Sequence, residues 1–155
     1  MNKTPFITKE QVEEIVKTYP TPFHIYDEKG FMDNAKKVNE AFSWNKGFRE
    51  YFAVKATPNP FIIQKLKEVG CGVDCSSDTE LMIADKLGFR NDEIMFSSNE
   101  TPEGEFAYCN KLGGIINLDD ITMIDFMEKE CGIPETVSCR FNPGGVFEVC
   151  NGIMD

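Results

Sequence analysis

The chain has a single histidine, and none of its six cysteines forms a C-x-x-C pair. Structural zinc sites need four closely spaced Cys or His ligands, so no metal site is expected. No apolar run approaches the roughly 20 residues that cross a bilayer. The opening MNKTPFITKEQVEEIVK lacks the apolar stretch of a secretory signal. A cytoplasmic protein is expected, with Cys71, Cys75, Cys109, Cys131, Cys139 and Cys150 as reduced thiols that mostly pack as small hydrophobes. Positive charge is scarce as well: 16 Lys and Arg against 26 Asp and Glu leave a net charge of −10. Nucleic acid and anionic membrane both select basic patches, so neither is expected as a partner. Low-complexity segments and disordered linkers are absent.

What is present is a rhythm of helices that stop at glycine. Helical spacing predicts helices over 60–69, 79–87, 102–112 and 121–131, followed by Gly70, Gly88, Gly113 and Gly132. Asn59-Pro60 and Thr101-Pro102 each offer a cap residue with proline at the first helical position. Ser77-x-x-Glu80 reads as a capping box, and Asp119 or Asp120 can cap a helix that begins near Ile121. After the glycines come short strand-like runs: CGVDC, EIMFS, GIINL and TVSCR. Alternating strands and helices argue for parallel strands joined by right-handed crossovers. Ahead of this lie a helix at 8–18, a strand FHIYD at 23–27 and a helix at about 28–43. The division expected is an N-terminal helix–strand–helix segment, 1–45, and an incomplete (β/α) barrel, 46–155.

Side chains alternate along a strand, so each strand divides into two faces. Phe52 and Val54 share one face, with Tyr51, Ala53 and Lys55 on the other. Val73 and Cys75 oppose Gly72 and Asp74; Val137, Cys139 and Phe141 oppose Ser138, Arg140 and Asn142. The apolar face suits a helix layer and the polar face a barrel interior. Lys55, Asp74 and Arg140 end their strands on the polar face, and the C-terminal ends of barrel strands are where functional groups gather. Lys55 stands in YFAVKATPNP; loss of hydration among such neighbours favours the neutral, nucleophilic amine that Schiff-base chemistry needs. The competing reading is a strand-end lysine that snorkels to solvent.

TPFHIYD, YFAVKATPNP, GCGVDCSSDTEL and CRFNPGG, in this order and spacing, resemble the fold type III pyridoxal-phosphate-dependent decarboxylases, and among them the diaminopimelate decarboxylases. The resemblance runs from Thr21 to about Gly145, with Thr57 where the family commonly has Asn. It implies a cofactor, pyridoxal 5'-phosphate, joined to Lys55. It places Asp74 beside the cofactor and the lysine, and makes Arg140 a neighbour that balances carboxylate or phosphate charge. Glu80 matches a family position, although the capping box alone accounts for it equally well. Ala53 would leave room for the pyridine ring or simply pack in its strand, and Asn142 would open the turn after Arg140. Ser97, Ser98 and Asn99 end another strand near the same pocket. His24, on the entry strand, reads as structural, and Cys75, on the apolar face, as packing.

The fold expected is a partial TIM-type barrel preceded by a helix and a strand; an open, doubly wound sheet is the alternative. A full eight-unit barrel takes about 250 residues, and five candidate strands end near Phe141. The family's ring-stacking histidine, glycine-rich phosphate loop and C-terminal β domain have no counterpart here, so this chain alone is expected to be inactive. The activity implied is decarboxylation of meso-2,6-diaminopimelate to L-lysine, a step of lysine biosynthesis. Ornithine, arginine or carboxynorspermidine are the alternative substrates, and a non-catalytic relative that binds a partner chain is a third reading. The family is typically homodimeric, and unpaired sheet edges would favour self-association.

Overall fold

The segments that follow each helix-stopping glycine assemble into one sheet. The computed structural model describes residues 4–141. Its strands are β1 (Tyr51–Ala53), β2 (Gly72–Cys75), β3 (Ile94–Phe96), β4 (Ile115–Leu118) and β5 (Val137–Cys139). They lie in chain order, β1-β2-β3-β4-β5, and every neighbouring pair is parallel. A doubly wound sheet needs a point where strand order reverses. None occurs among the described residues, so the arrangement is an unclosed run of barrel units.

Six helices accompany the strands among the described residues: α1 (Lys9–Thr18), α2 (Glu28–Ala41), α3 (Pro60–Glu68), α4 (Asp78–Lys86), α5 (Glu105–Leu112) and α6 (Met123–Cys131). The core lies on one face of the sheet. Val73, Cys75, Ile94, Phe96 and Ile116 from the strands meet Ile63, Leu81, Phe106 and Met127 from α3 to α6, all essentially without solvent contact. Phe106 stands edge-on to Phe96, with ring centroids 6.1 Å apart. Each such side chain contributes about 1.5–3 kcal/mol by leaving water. A second cluster, Ala35, Ile62, Leu66 and Cys71, ties α2 to α3 beside β1.

Local signals act largely as expected. Thr8 and Gln11 form a reciprocal capping box at α1, and Asn59 caps α3 with Pro60 in its first turn. Residues 23–27, read from sequence as a strand that would lack its family partner, the C-terminal β domain, join no ladder among the described residues. Two expectations are corrected. The helix expected from 102 begins at Glu105: Gly104 adopts φ +92°, which interrupts the turn started at Pro102. The box at Ser77 is one-sided. Ser77 Oγ accepts from the Glu80 N–H at 3.4 Å, but the Glu80 carboxylate turns to Ser76, accepting from its N–H at 2.9 Å.

The N-terminus of α4 has a further cap from the next unit. Glu105, 7% exposed, accepts the Asp78 N–H at 2.9 Å. Burial pushes its carboxyl above the usual 4.5, opposed by the Asp78 hydrogen bond and reinforced by the charges of Asp78, Glu130 and Glu80. A raised acid means that the folded state binds the proton more tightly, so ionised Glu105 weakens the fold above its folded pKa. That penalty is relieved as pH falls through the folded value toward 4.5. The melting temperature of the wild type should therefore gain on that of Glu105→Gln as pH is lowered from neutral. A wild type that loses ground over this range would contradict the sign.

Candidate functional site

Parallel strands share one C-terminal edge, so their last residues meet along a single rim. Beneath it, the face of the sheet opposite the core forms a cleft of about 340 Å³ lined by Tyr51, Asp74, Met95, Ser97, Asn117, Ser138 and Arg140. All five strands or their immediate continuations contribute. The volume is within the range of small-molecule sites.

Asp74 is the half-buried acid of the cleft, paired in register with Ala53 across β1 and β2. The Ser97 hydroxyl donates to Asp74 Oδ1. On the far strands the Ser138 hydroxyl donates to Asn117 Oδ1 at 2.7 Å. Arg140 is exposed; its Nη1 lies 2.5 Å from Asp119 Oδ1 and donates to Asn99 Oδ1 at 3.3 Å. The Tyr51 hydroxyl donates away from the rim, to the Asp92 carbonyl at 2.5 Å, and burial raises its pKa.

Lys55 does not end a regular strand. β1 stops at Ala53, and Val54–Ala56 form a single 3-10 turn, closed by the Thr57 N–H on the Val54 carbonyl at 3.1 Å. Val54 is fully buried and anchors this turn, while Lys55 is exposed. The apolar enclosure expected around the amine is therefore not supplied by the described residues. The reason is the turn, which rotates Lys55 off the alternation of the strand. Ala53 is half-buried on β1 opposite Asp74. Glu80 is occupied with Ser76 and does not line the cleft. Asn142 lies outside the described residues.

Cys75 follows Asp74 but points into the core, where burial, with the charges of Glu80 and Asp74 adding, pushes its thiol strongly up. It is therefore held protonated and away from the cleft. Sequence reasoning put Ser97 near the pocket but missed its bond to Asp74, and it left out Met95 and Asn117. Alternation carries the signal for both: Met95 lies between buried Ile94 and Phe96, and Asn117 between buried Ile116 and Leu118. Phe141, expected on the apolar face, is 87% exposed because β5 is the outer strand of the described sheet.

As a donor set, the rim and cleft offer a primary amine, a carboxylate, several hydroxyls and one guanidinium. These suit a small carbonyl compound that carries an anionic group. Among the described residues there is no metal-binding cluster and no helix long and apolar enough to cross a membrane.

Residues 30–153 match the family model described as pyridoxal-dependent decarboxylase, pyridoxal binding domain. Protein TabA of Pseudomonas amygdali pv. tabaci is 43% identical over 136 residues, which cover 88% of this chain and 31% of that protein. Diaminopimelate decarboxylase of Thermoplasma acidophilum is 30% identical over 138 residues, 89% of this chain and 33% of that protein. The crystal structure of lysine decarboxylase from Selenomonas ruminantium superposes with a TM-score of 0.70 at 22% identity, over 90% of this chain and 36% of the other, a likeness of fold. Diaminopimelate decarboxylase from Helicobacter pylori, complexed with L-lysine, superposes with a TM-score of 0.64 at 28% identity, over 76% of this chain and 30% of the other. The chain spans about a third of the length of the curated relatives it matches.

Proposed function

Because this chain belongs to the pyridoxal-dependent decarboxylase family, matching its pyridoxal-binding domain, we propose that it is the part of an amino-acid decarboxylase that carries the cofactor lysine, Lys55. The observation that supports this most is the shared rim: Asp74 in β2, Ser97 after β3 and Arg140 after β5 line one cleft, at the end of the sheet where Lys55 follows β1. The residues present fit pyridoxal 5'-phosphate in the amine, the carboxylate and the open floor over Tyr51 and Met95. They supply no phosphate cradle among the described residues.

Lys55 is exposed and so accessible to the cofactor aldehyde. Ala53 adds only a methyl group opposite Asp74, which leaves space for a flat ring over β1. Asp74 offers a carboxylate oxygen to a cationic nitrogen in the cleft. Arg140 brings positive charge, tempered by Asp119 at 2.5 Å. Glu80 acts by holding Ser76. When bound, the cofactor supplies an electron sink for the charge left when carbon dioxide departs.

The substrate proposed is meso-2,6-diaminopimelate, with L-lysine as product, supported by the several diaminopimelate decarboxylases among the relatives. The likeness to ornithine decarboxylase from Entamoeba histolytica, beside the higher identity to TabA, whose name states no substrate, supports as a second reading another amino acid of the same class, such as ornithine. Carbon dioxide release from each amino acid by a protein that contains this chain would separate the two. We further propose the division 1–45 and 46–155, a cytoplasmic location, and self-association through the edges of β1 and β5.

The test is covalent. The Lys55 amine and the cofactor aldehyde condense with loss of water, and borohydride delivers hydride to the new carbon–nitrogen bond. Mass spectrometry should find one phosphopyridoxyl group, on the peptide that holds Lys55, and none there in Lys55→Ala. Label spread evenly over surface lysines would refute the assignment.

A further inference from the structure

Asp74 is a carboxylate without a cation. Among the described residues no Lys or Arg forms an ion pair with it. Its one side-chain partner there is Ser97, and a carboxylate can only accept, so the serine donates its single proton to Oδ1. The second oxygen takes no hydrogen bond from the described residues, and Asp74 lines the cleft.

Ser97 itself is held firmly. Its N–H bonds the Cys75 carbonyl at 2.8 Å, extending the β2–β3 ladder one residue past Phe96, which is fully buried. Asp74 pairs with Met95 in the same ladder, two residues before Ser97. The hydroxyl therefore reaches the carboxylate from a backbone fixed on both strands. The comparable pair on the far strands, Ser138 to Asn117 at 2.7 Å, joins two neutral groups. The Ser97 pair is the one that orients a charge.

We propose that Ser97 is a positioning residue: its hydroxyl holds Asp74 Oδ1 so that the other carboxylate oxygen meets a cationic nitrogen brought into the cleft. This rests on the cofactor reading above and deepens it. A carboxylate held in one orientation avoids the cost of ordering it at each binding event. Without the hydroxyl, Asp74 keeps its charge but must be ordered by the ligand.

The experiment uses the full chain, with pyridoxal 5'-phosphate as the probe. Borohydride-trapped label at Lys55 is measured against probe concentration to give the half-saturating value. Loss of one charge-assisted hydrogen bond should raise that value about threefold to tenfold in Ser97→Ala. Ser97→Thr, which keeps the hydroxyl, should return it to within about twofold. In an Asp74→Asn background, Ser97→Ala should add less than about twofold, because a residue that acts through a partner loses its effect when the partner is changed. Matching melting temperatures would show that the variants fold. Equal half-saturation in wild type and Ser97→Ala, or the same effect in both backgrounds, overturns the positioning role alone. Absence of Lys55 label in the wild type overturns the cofactor reading, and the positioning role falls with it.

Discussion

Phe96→Ala is expected to cost the chain about 3–5 kcal/mol, the usual penalty for truncating a fully buried phenylalanine. The ring has no solvent contact and packs edge-on against Phe106 at 6.1 Å between centroids. It stands in β3, with Cys75 in register beside it on β2, so the cavity would open in the middle of the core, where neighbours on two strands and a helix cannot all close in. Total stabilities of about 5–15 kcal/mol leave little after such a loss. Urea unfolding followed by far-UV circular dichroism should show a large fall in midpoint, with part of the population unfolded in buffer. Met82→Ala, on the 50% exposed surface of α4, should move stability by no more than about 0.5 kcal/mol. Similar midpoints for the two variants would show that the core does not close over Phe96. The effect also reaches the cleft: Ser97 follows Phe96, so specific label at Lys55 should fall together with stability.

Gly72→Ala has the next largest expected effect, for the opposite reason. A Cβ built at Gly72 would stand 2.7 Å from the Glu93 carbonyl oxygen, 2.9 Å from Tyr51 Cδ1 and 3.0 Å from Arg49 Cδ. The first of these is backbone and has nowhere to go. Relief requires β2 to shift against both neighbours at once: the turn before β3 that carries Glu93, and β1, where Gly72 pairs with Tyr51 and Asp74 with Ala53. Overpacking of this kind costs about 1–3 kcal/mol, and each kcal/mol lowers the melting temperature of a chain this size by about 2–4 °C. Gly104→Ala is the informative contrast. Nothing lies within 4 Å of its Cβ, but its φ is +92°, so only backbone strain, costing about 1 kcal/mol, is added. Gly72→Ala should be the less stable of the two, and it alone should disturb label at Lys55. If Gly104→Ala proved the more damaging, steric crowding at β2 would not be the controlling feature.

The corrections to the sequence reading share a cause. Helix positions followed from spacing and caps because those signals act within a few residues, as at Asn59-Pro60 for α3. The start of α5 went astray because Thr101-Pro102 carried a good local signal that Gly104, at positive φ, overrode. FHIYD reads as a strand from composition and, as its missing family partner implies, joins no ladder among the described residues. Lys55 was placed by alternation on a strand that in fact turns to 3-10 geometry after Ala53. The amine was singled out by its motif, while its exposure depends on how that turn leaves the sheet.

Periodicity and motif alone determined that strands and helices alternate, that each strand has a polar and an apolar face, and that Asp74 and Arg140 lie on the polar side. These properties depend on the chain's own few-residue repeats. Tertiary structure decided that Ser97 meets Asp74, that Ser138 meets Asn117, that Arg140 is drawn toward Asp119 and Asn99, and that Glu80 turns to Ser76. Apart from the last, these contacts join residues about 20 or more positions apart, and strand register sets them. A one-residue slip in register would exchange the partners without altering any local preference.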